Sequence, residues 1–90
     1  MIVEPCDDSE FIGWIEANPT GFVLNCHRRP KSSYLKLHRG SCTTLRGQEN
    51  YAGGDYRKVC STSQRAIEQW AIDVVGGPVQ LCGTCNPEGT

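Results

Sequence analysis

No stretch of this chain approaches the roughly 20 consecutive apolar residues that a membrane-spanning helix requires. The opening segment, MIVEPCDDSE, has neither a basic n-region nor an apolar h-region, so no secretory leader is expected there. Paired carboxylates, HExxH, a nucleophile elbow and a phosphate-cradling P-loop are absent too, and each absence removes a class of enzyme. Apolar material is also scarce. Hydrophobic residues make up 38% of the 90, a figure that includes six cysteines. Two domains could not each bury enough surface to offset their chain entropy, so residues 1–90 are read as one domain. A core this thin commonly needs disulfides or a metal to hold it.

Acids are missing where bases are dense. Residues 21 to 42, GFVLNCHRRPKSSYLKLHRGSC, gather Arg28, Arg29, Lys31, Lys36 and Arg39 with His27 and His38 and contain no carboxylate. The formal net charge of -1 conceals this. All nine Lys and Arg lie between Gly21 and Arg65, against only Glu49 and Asp55, so that span carries +7. Glu4, Asp7, Asp8, Glu10 and Glu16 precede it, and Glu68, Asp73 and Glu88 follow. The asymmetry points to an anionic partner. The competing reading is that the acidic ends fold back and neutralise the middle.

Asp8 or Ser9 can cap a helix whose apolar face is Phe11, Ile12, Trp14 and Ile15, ended by Asn18-Pro19. Residues 22–27 and 34–38 read as two strands of a basic hairpin spanning 21–40, with 28–33 as its loop. Alternation places Leu35 and Leu37 on a greasy face, and Tyr34, Lys36 and His38 on a face able to meet a ligand. Residues 43–55 form a Gly-rich polar loop, and 56–60 a third strand. The main helix, 61–75, opens with a Ser61-x-x-Gln64 capping box and repeats Ala66, Ile67, Trp70, Ala71 and Val74 at helical spacing. Trp14 and Trp70 are expected to pack the two helices together. Gly76-Gly77-Pro78 stops the helix, and a short strand leads into the CxxC knuckle at 82–85. The order implies an α+β domain with a short antiparallel sheet of about three strands.

Cys82-Gly83-Thr84-Cys85 has the spacing that turns two thiolates toward one ion. A structural zinc site needs two more soft ligands, and Cys42 and Cys60, at element boundaries, complete the expected set of Cys42, Cys60, Cys82 and Cys85. His38, four residues upstream, is the substitute for Cys42. Cys6 and Cys26 fit less well, one in an acidic segment and the other inside a strand. Two other readings of the cysteines stay open: reduced buried thiols, or disulfides, for which six cysteines allow fifteen pairings. A cytoplasmic setting, where thiols stay reduced, favours the metal.

The segments W-x-x-x-N-P-T-G-F-V-L-N, Y-L-K-L-H-R-G-S-C, Y-R-K-V-C and C-G-T-C-N-P together resemble a small Cys-containing bacterial domain sometimes found with nuclease or restriction modules. That resemblance spans residues 11–87 and implies a bacterial, intracellular, DNA-related role with no catalytic assignment. From the residues themselves, a zinc-stabilised, non-catalytic nucleic-acid-binding module is expected, favouring DNA over RNA. Its contacts are Arg28, Arg29, Lys31, Tyr34, Lys36, His38, Arg39, Arg57 and Lys58. The alternatives are a zinc-dependent protein-interaction adaptor or small regulator, and a nuclease using His38 with an acid such as Asp55.

Overall fold

The computed structural model describes residues 2–5, 7–42 and 56–83, with Tyr56 described by its backbone alone. Helix α1 spans Asp8–Ala17, and its cap lies one residue earlier than expected: the Asp7 carboxylate accepts from the Glu10 N–H at 2.8 Å. A side-chain oxygen there satisfies an otherwise orphaned donor and places negative charge at the positive end of the helix dipole. Phe11 and Ile15, four apart on one face, are its buried residues. At the far end the Asn18 backbone and side-chain N–H groups both donate to the Trp14 carbonyl, and Pro19 follows.

The hairpin forms as expected. Strands β1 (Phe22–His27) and β2 (Leu35–Arg39) pair antiparallel, and β3 (Tyr56–Ser61) pairs antiparallel with the other edge of β1. The expected short tail strand, β4 (Gln80–Leu81), runs parallel to β2 and closes a four-stranded mixed sheet of order β3-β1-β2-β4. The fold is thus α+β, with one parallel pair where an antiparallel sheet was expected.

Helix α2 spans Gln64–Trp70. Its cap is Ser63, whose hydroxyl accepts from the Ala66 N–H at 3.2 Å, whereas Ser61 ends β3 and accepts from the Ser63 N–H at 3.1 Å. The helix continues as a π-helical turn over Ala71–Val75, ended by Gly76 in the left-handed region at φ 91° with its N–H on the Ala71 carbonyl. The wider turn carries one extra residue, which rotates Val75 onto the sheet and Val74 away from it. Val74 is therefore 56% exposed, not the core residue that regular helical spacing implies.

Both faces of the sheet are covered. Leu24, Cys26, Leu35, Leu37 and Val59 pack on Ile67 of α2 and Ala71 of the π-helical turn, while Val23, Cys42, Cys60 and Cys82 pack under Phe11 and Ile15 of α1. The greasy face is where the alternation places it, but the opposite face is buried at one end rather than open along its length. Trp14 belongs to the α1 cluster and Trp70 to the α2 cluster, so the sheet separates the two tryptophans that were expected to meet.

Register then decides which side chains are neighbours. Val23 is paired with His38 on one side and Cys60 on the other, giving a row Cys60, Val23, His38 across three strands on the α1 face. The Leu37–Leu81 pair and the bond from the Cys82 N–H to the Leu37 carbonyl, at 2.9 Å, extend that row to Cys82.

Two glycines report on this packing in opposite ways. A Cβ on Gly40, just after β2, would lie 2.8 Å from the Asn18 carbonyl oxygen and 3.5 Å from that of Gly21, both backbone atoms that cannot swing aside. A Cβ on Gly13, on the exposed side of α1, would meet nothing within 4 Å. Gly40→Ala should lower the urea midpoint, costing about 1–3 kcal/mol, whereas Gly13→Ala should raise it by about 0.5–1 kcal/mol.

Candidate metal centre

Three elements deliver one side chain each to a single point. His38 projects from β2 on the α1 face, beside Val23. A turn then brings the chain back over it, closed by the Cys42 N–H donating to the Arg39 carbonyl at 3.0 Å, with Gly40 held to the Gly21 carbonyl at 2.8 Å. Cys82 arrives from the end of β4 alongside β2. The imidazole nitrogen and the two sulfurs lie within 4.8 Å of one another, and all three residues are buried. They could hold a metal ion.

The spacing suits that role. The sulfurs of Cys42 and Cys82 are 3.9 Å apart, and neither is in a disulfide. Two thiolates on one tetrahedral zinc, each at about 2.3 Å, stand about 3.8 Å from each other. Protonation does not compete for the imidazole at neutral pH. Burial pushes the His38 pKa down to about 4, aided by the positive charges of Lys58 and Lys36, so the ring is neutral and one of its nitrogens is unprotonated. Phe11 and Ile15 close the cluster from above, with Trp14 and Val3 packed against it.

The membership differs from the expected set by one residue. Cys42 and Cys82 are present, Cys85 lies outside the described residues, and His38 stands where Cys60 was expected, not in place of Cys42. The strand order explains the exchange. Strand β1 runs between β3 and β2, which puts Cys60 two strand spacings, about 9.6 Å, from the His38 backbone. Cys60 acts instead as a small buried hydrophobe, with a backbone bridge to Val3 and a thiol that burial pushes up to about 12. Cys26 is buried on the other face of the sheet, and burial raises its thiol pKa as well.

The expected contact residues differ in exposure. Arg28, Arg29 and Lys31 are exposed on the hairpin loop, and Tyr34, Lys36 and Arg39 are half-buried at its edges. His38 and Lys58 are buried, at 5% and 2% exposure, and cannot make the surface contacts expected of them. Their positions on the α1 face, under a helix that the strand pattern could not place, account for the correction. Arg57 is paired with Glu4, through bonds of 2.6 and 2.8 Å, and stacks its guanidinium 5.3 Å from the Trp70 ring centre. At this pair the acidic leading segment does neutralise the basic middle.

Lys58 is more than a misplaced contact. Its ammonium donates to the Asn25 side-chain carbonyl at 2.7 Å and lies 5.9 Å from the Phe11 ring centre. The Asn25 amide in turn donates to the Tyr34 hydroxyl at 3.2 Å, and the Tyr34 ring tilts against His27 at 5.3 Å. Asn25 was missed by the sequence reading, although an amide in an otherwise apolar strand is the available signal. Gln80 was missed as well. Its amide accepts from the Leu35 N–H at 3.0 Å and donates to the Ser32 carbonyl at 3.1 Å, clamping the hairpin loop to β4.

No protein-family model, curated protein or solved structure matches this chain. Among the described residues, no helix is long and apolar enough to cross a membrane.

The centre makes two predictions. Native mass spectrometry should find one divalent ion per chain, lost in Cys42→Ser and Cys82→Ser but kept in Cys60→Ala, which removes only core volume. The second concerns Lys58, whose pKa burial lowers to about 8. Between pH 8 and 10.5 the unfolded chain holds this proton and the folded chain does not, so this residue's contribution to stability rises with pH. The urea stability of the wild type relative to Lys58→Met should improve by on the order of 2 kcal/mol between pH 7.5 and 10. The comparison with the variant matters because Cys60, with its raised pKa, works in the opposite direction above pH 9.

Proposed function

We propose that this chain is a zinc-stapled, non-catalytic nucleic-acid-binding module whose basic hairpin loop contacts phosphates, with DNA the favoured polyanion. The ion is zinc because the donors are soft, one imidazole and two thiols, and their separation is that of a tetrahedral edge. The CxxC spacing makes Cys85 the fourth ligand. Thiols kept for a metal suit a reducing compartment, and cytoplasmic residence follows from that.

The observation that carries the reading is the hairpin loop. Arg28, Arg29 and Lys31 are all exposed on it, and no acid occurs between residues 17 and 48. The loop is also held in shape: the Tyr34 N–H donates to the Lys31 carbonyl at 3.1 Å, Gln80 binds Ser32, and Gly77 packs on the Ser32 side chain. Gln80 is two residues from Cys82, so the strand that clamps the loop is the strand that the metal would anchor. A loop ordered in advance loses less entropy when its arginines engage phosphates.

The test is anisotropy with a labelled oligonucleotide across about 50 to 200 mM salt, where log affinity should fall linearly with log salt. Arg28→Ala with Arg29→Ala should weaken binding and make that slope shallower by roughly 1.5 to 2, the loss of two phosphate contacts. Chelation should weaken binding as well, by releasing β4 from its anchor. An unchanged affinity and slope in the double variant would sink the proposal.

A further inference from the structure

The α1 face of the sheet has two unlike ends. Near Val23 it is covered by Phe11 and Ile15 and holds the cysteine cluster. Toward the hairpin loop, strand alternation puts Asn25, His27, Lys36 and Lys58 on the same face, and the Tyr34 ring joins them through Asn25 and His27. His27, Tyr34 and Lys36 are half-buried there, not covered. The side chains of that patch are cationic, aromatic or amide.

Its rings are fixed. The Tyr34 hydroxyl accepts from Asn25, and Asn25 accepts from Lys58, so a buried ammonium orients the amide and the amide orients the phenol. The Tyr34 backbone is tied to Lys31, and the ring rests against His27 at an interplanar angle of 54°. A buried lysine that gives up solvation to hold an asparagine is costly, and nothing in the hairpin's own pairing requires it. Positioning an aromatic ring at the foot of the loop that carries Arg28 and Arg29, two residues along the chain from Lys36, gives that cost a return.

We infer that this hairpin end of the sheet is a stacking platform for single-stranded nucleic acid, with the Tyr34 ring taking a base and Lys36 and the loop arginines taking the flanking phosphates. The inference rests on the nucleic-acid reading above and narrows it. A duplex presents base edges and phosphates, but its base faces are engaged with one another. Only an unpaired strand offers a π-face to a ring held in a sheet. Tyr34 is the stacking residue, and Asn25 and Lys58 are positioning residues that act through it.

The experiment uses the metal-loaded full chain with two probes, a labelled single-stranded DNA of mixed sequence and the same sequence as a duplex. Wild type should prefer the single strand. Tyr34→Leu should weaken single-strand binding about tenfold, the loss of one stacked base, and leave duplex binding within twofold. Tyr34→Trp should retain single-strand binding, and thermal melts of both variants establish that they are folded. Should Tyr34→Leu destroy the fold, Tyr34→Trp still tests the idea, because a larger ring should hold or tighten the single strand and leave the duplex unchanged.

Equal weakening of both probes by Tyr34→Leu, or none, would overturn the stacking role. If Arg28→Ala with Arg29→Ala reduces binding while a folded Tyr34→Leu leaves it untouched, the polyanion reading survives and this one fails. Absence of wild-type binding to either probe removes both.

Discussion

The convergence of Cys42 and Cys82 on His38 is the contact on which the rest of this small domain depends. Strand β4 pairs with β2 over two register positions, too few to hold a chain segment against its conformational entropy. It is held as well by the Cys82 N–H on the Leu37 carbonyl, by Leu81 packed on the core under α2 and by the Gln80 amide at its start, and the thiol at its end lies 3.9 Å from Cys42. A metal at that point would join β2, the turn after it and the tail in one step. Ligand binding of that kind is folding free energy, because the site does not exist in the unfolded chain.

The same strand connects the His/Cys cluster to the hairpin loop. Cys82 belongs to the candidate metal centre and Gln80 binds the hairpin loop, with Leu81 alone between them. An ion held at Cys82 would therefore act on the loop through two peptide units, with no need for a longer pathway. The basic loop gains rigidity from an element that contributes no charge of its own. A free hairpin of this length would be marginal in water.

Much of this was legible from the residues. Strand β1, the hairpin loop and the tail strand fell where alternation and turn chemistry put them, and Cys42 and Cys82 were placed in the site by spacing and by their positions at element ends. The misses share a cause. Whether Cys60 or His38 joins the cluster depends on strand order, and nothing local in Tyr-Arg-Lys-Val-Cys states that β3 pairs with β1 and not with β2. Likewise the face bearing His38 and Lys58 looked free because alternation specifies two faces but not which helix covers which. Val74 failed for a different reason: a single π-helical turn shifts the phase of a helix, and the apolar repeat reads the same before and after it.

Lys58 shows how such a miss can carry information. On its strand it sits between Arg57, which reaches Glu4 and Trp70, and Val59, which fills the α2 core. A lysine at an inward position would ordinarily be replaced by an apolar residue with a gain in stability, since desolvating an ammonium costs several kcal/mol. Asn25 offers it one acceptor and Phe11 one aromatic face, enough to be tolerated but not enough to offset its hydration. An apolar residue there would leave the Asn25 carbonyl unpaired and the Tyr34 hydroxyl without a fixed donor. The cost falls between the Phe11 ring and Asn25, where the chain keeps polar groups in register.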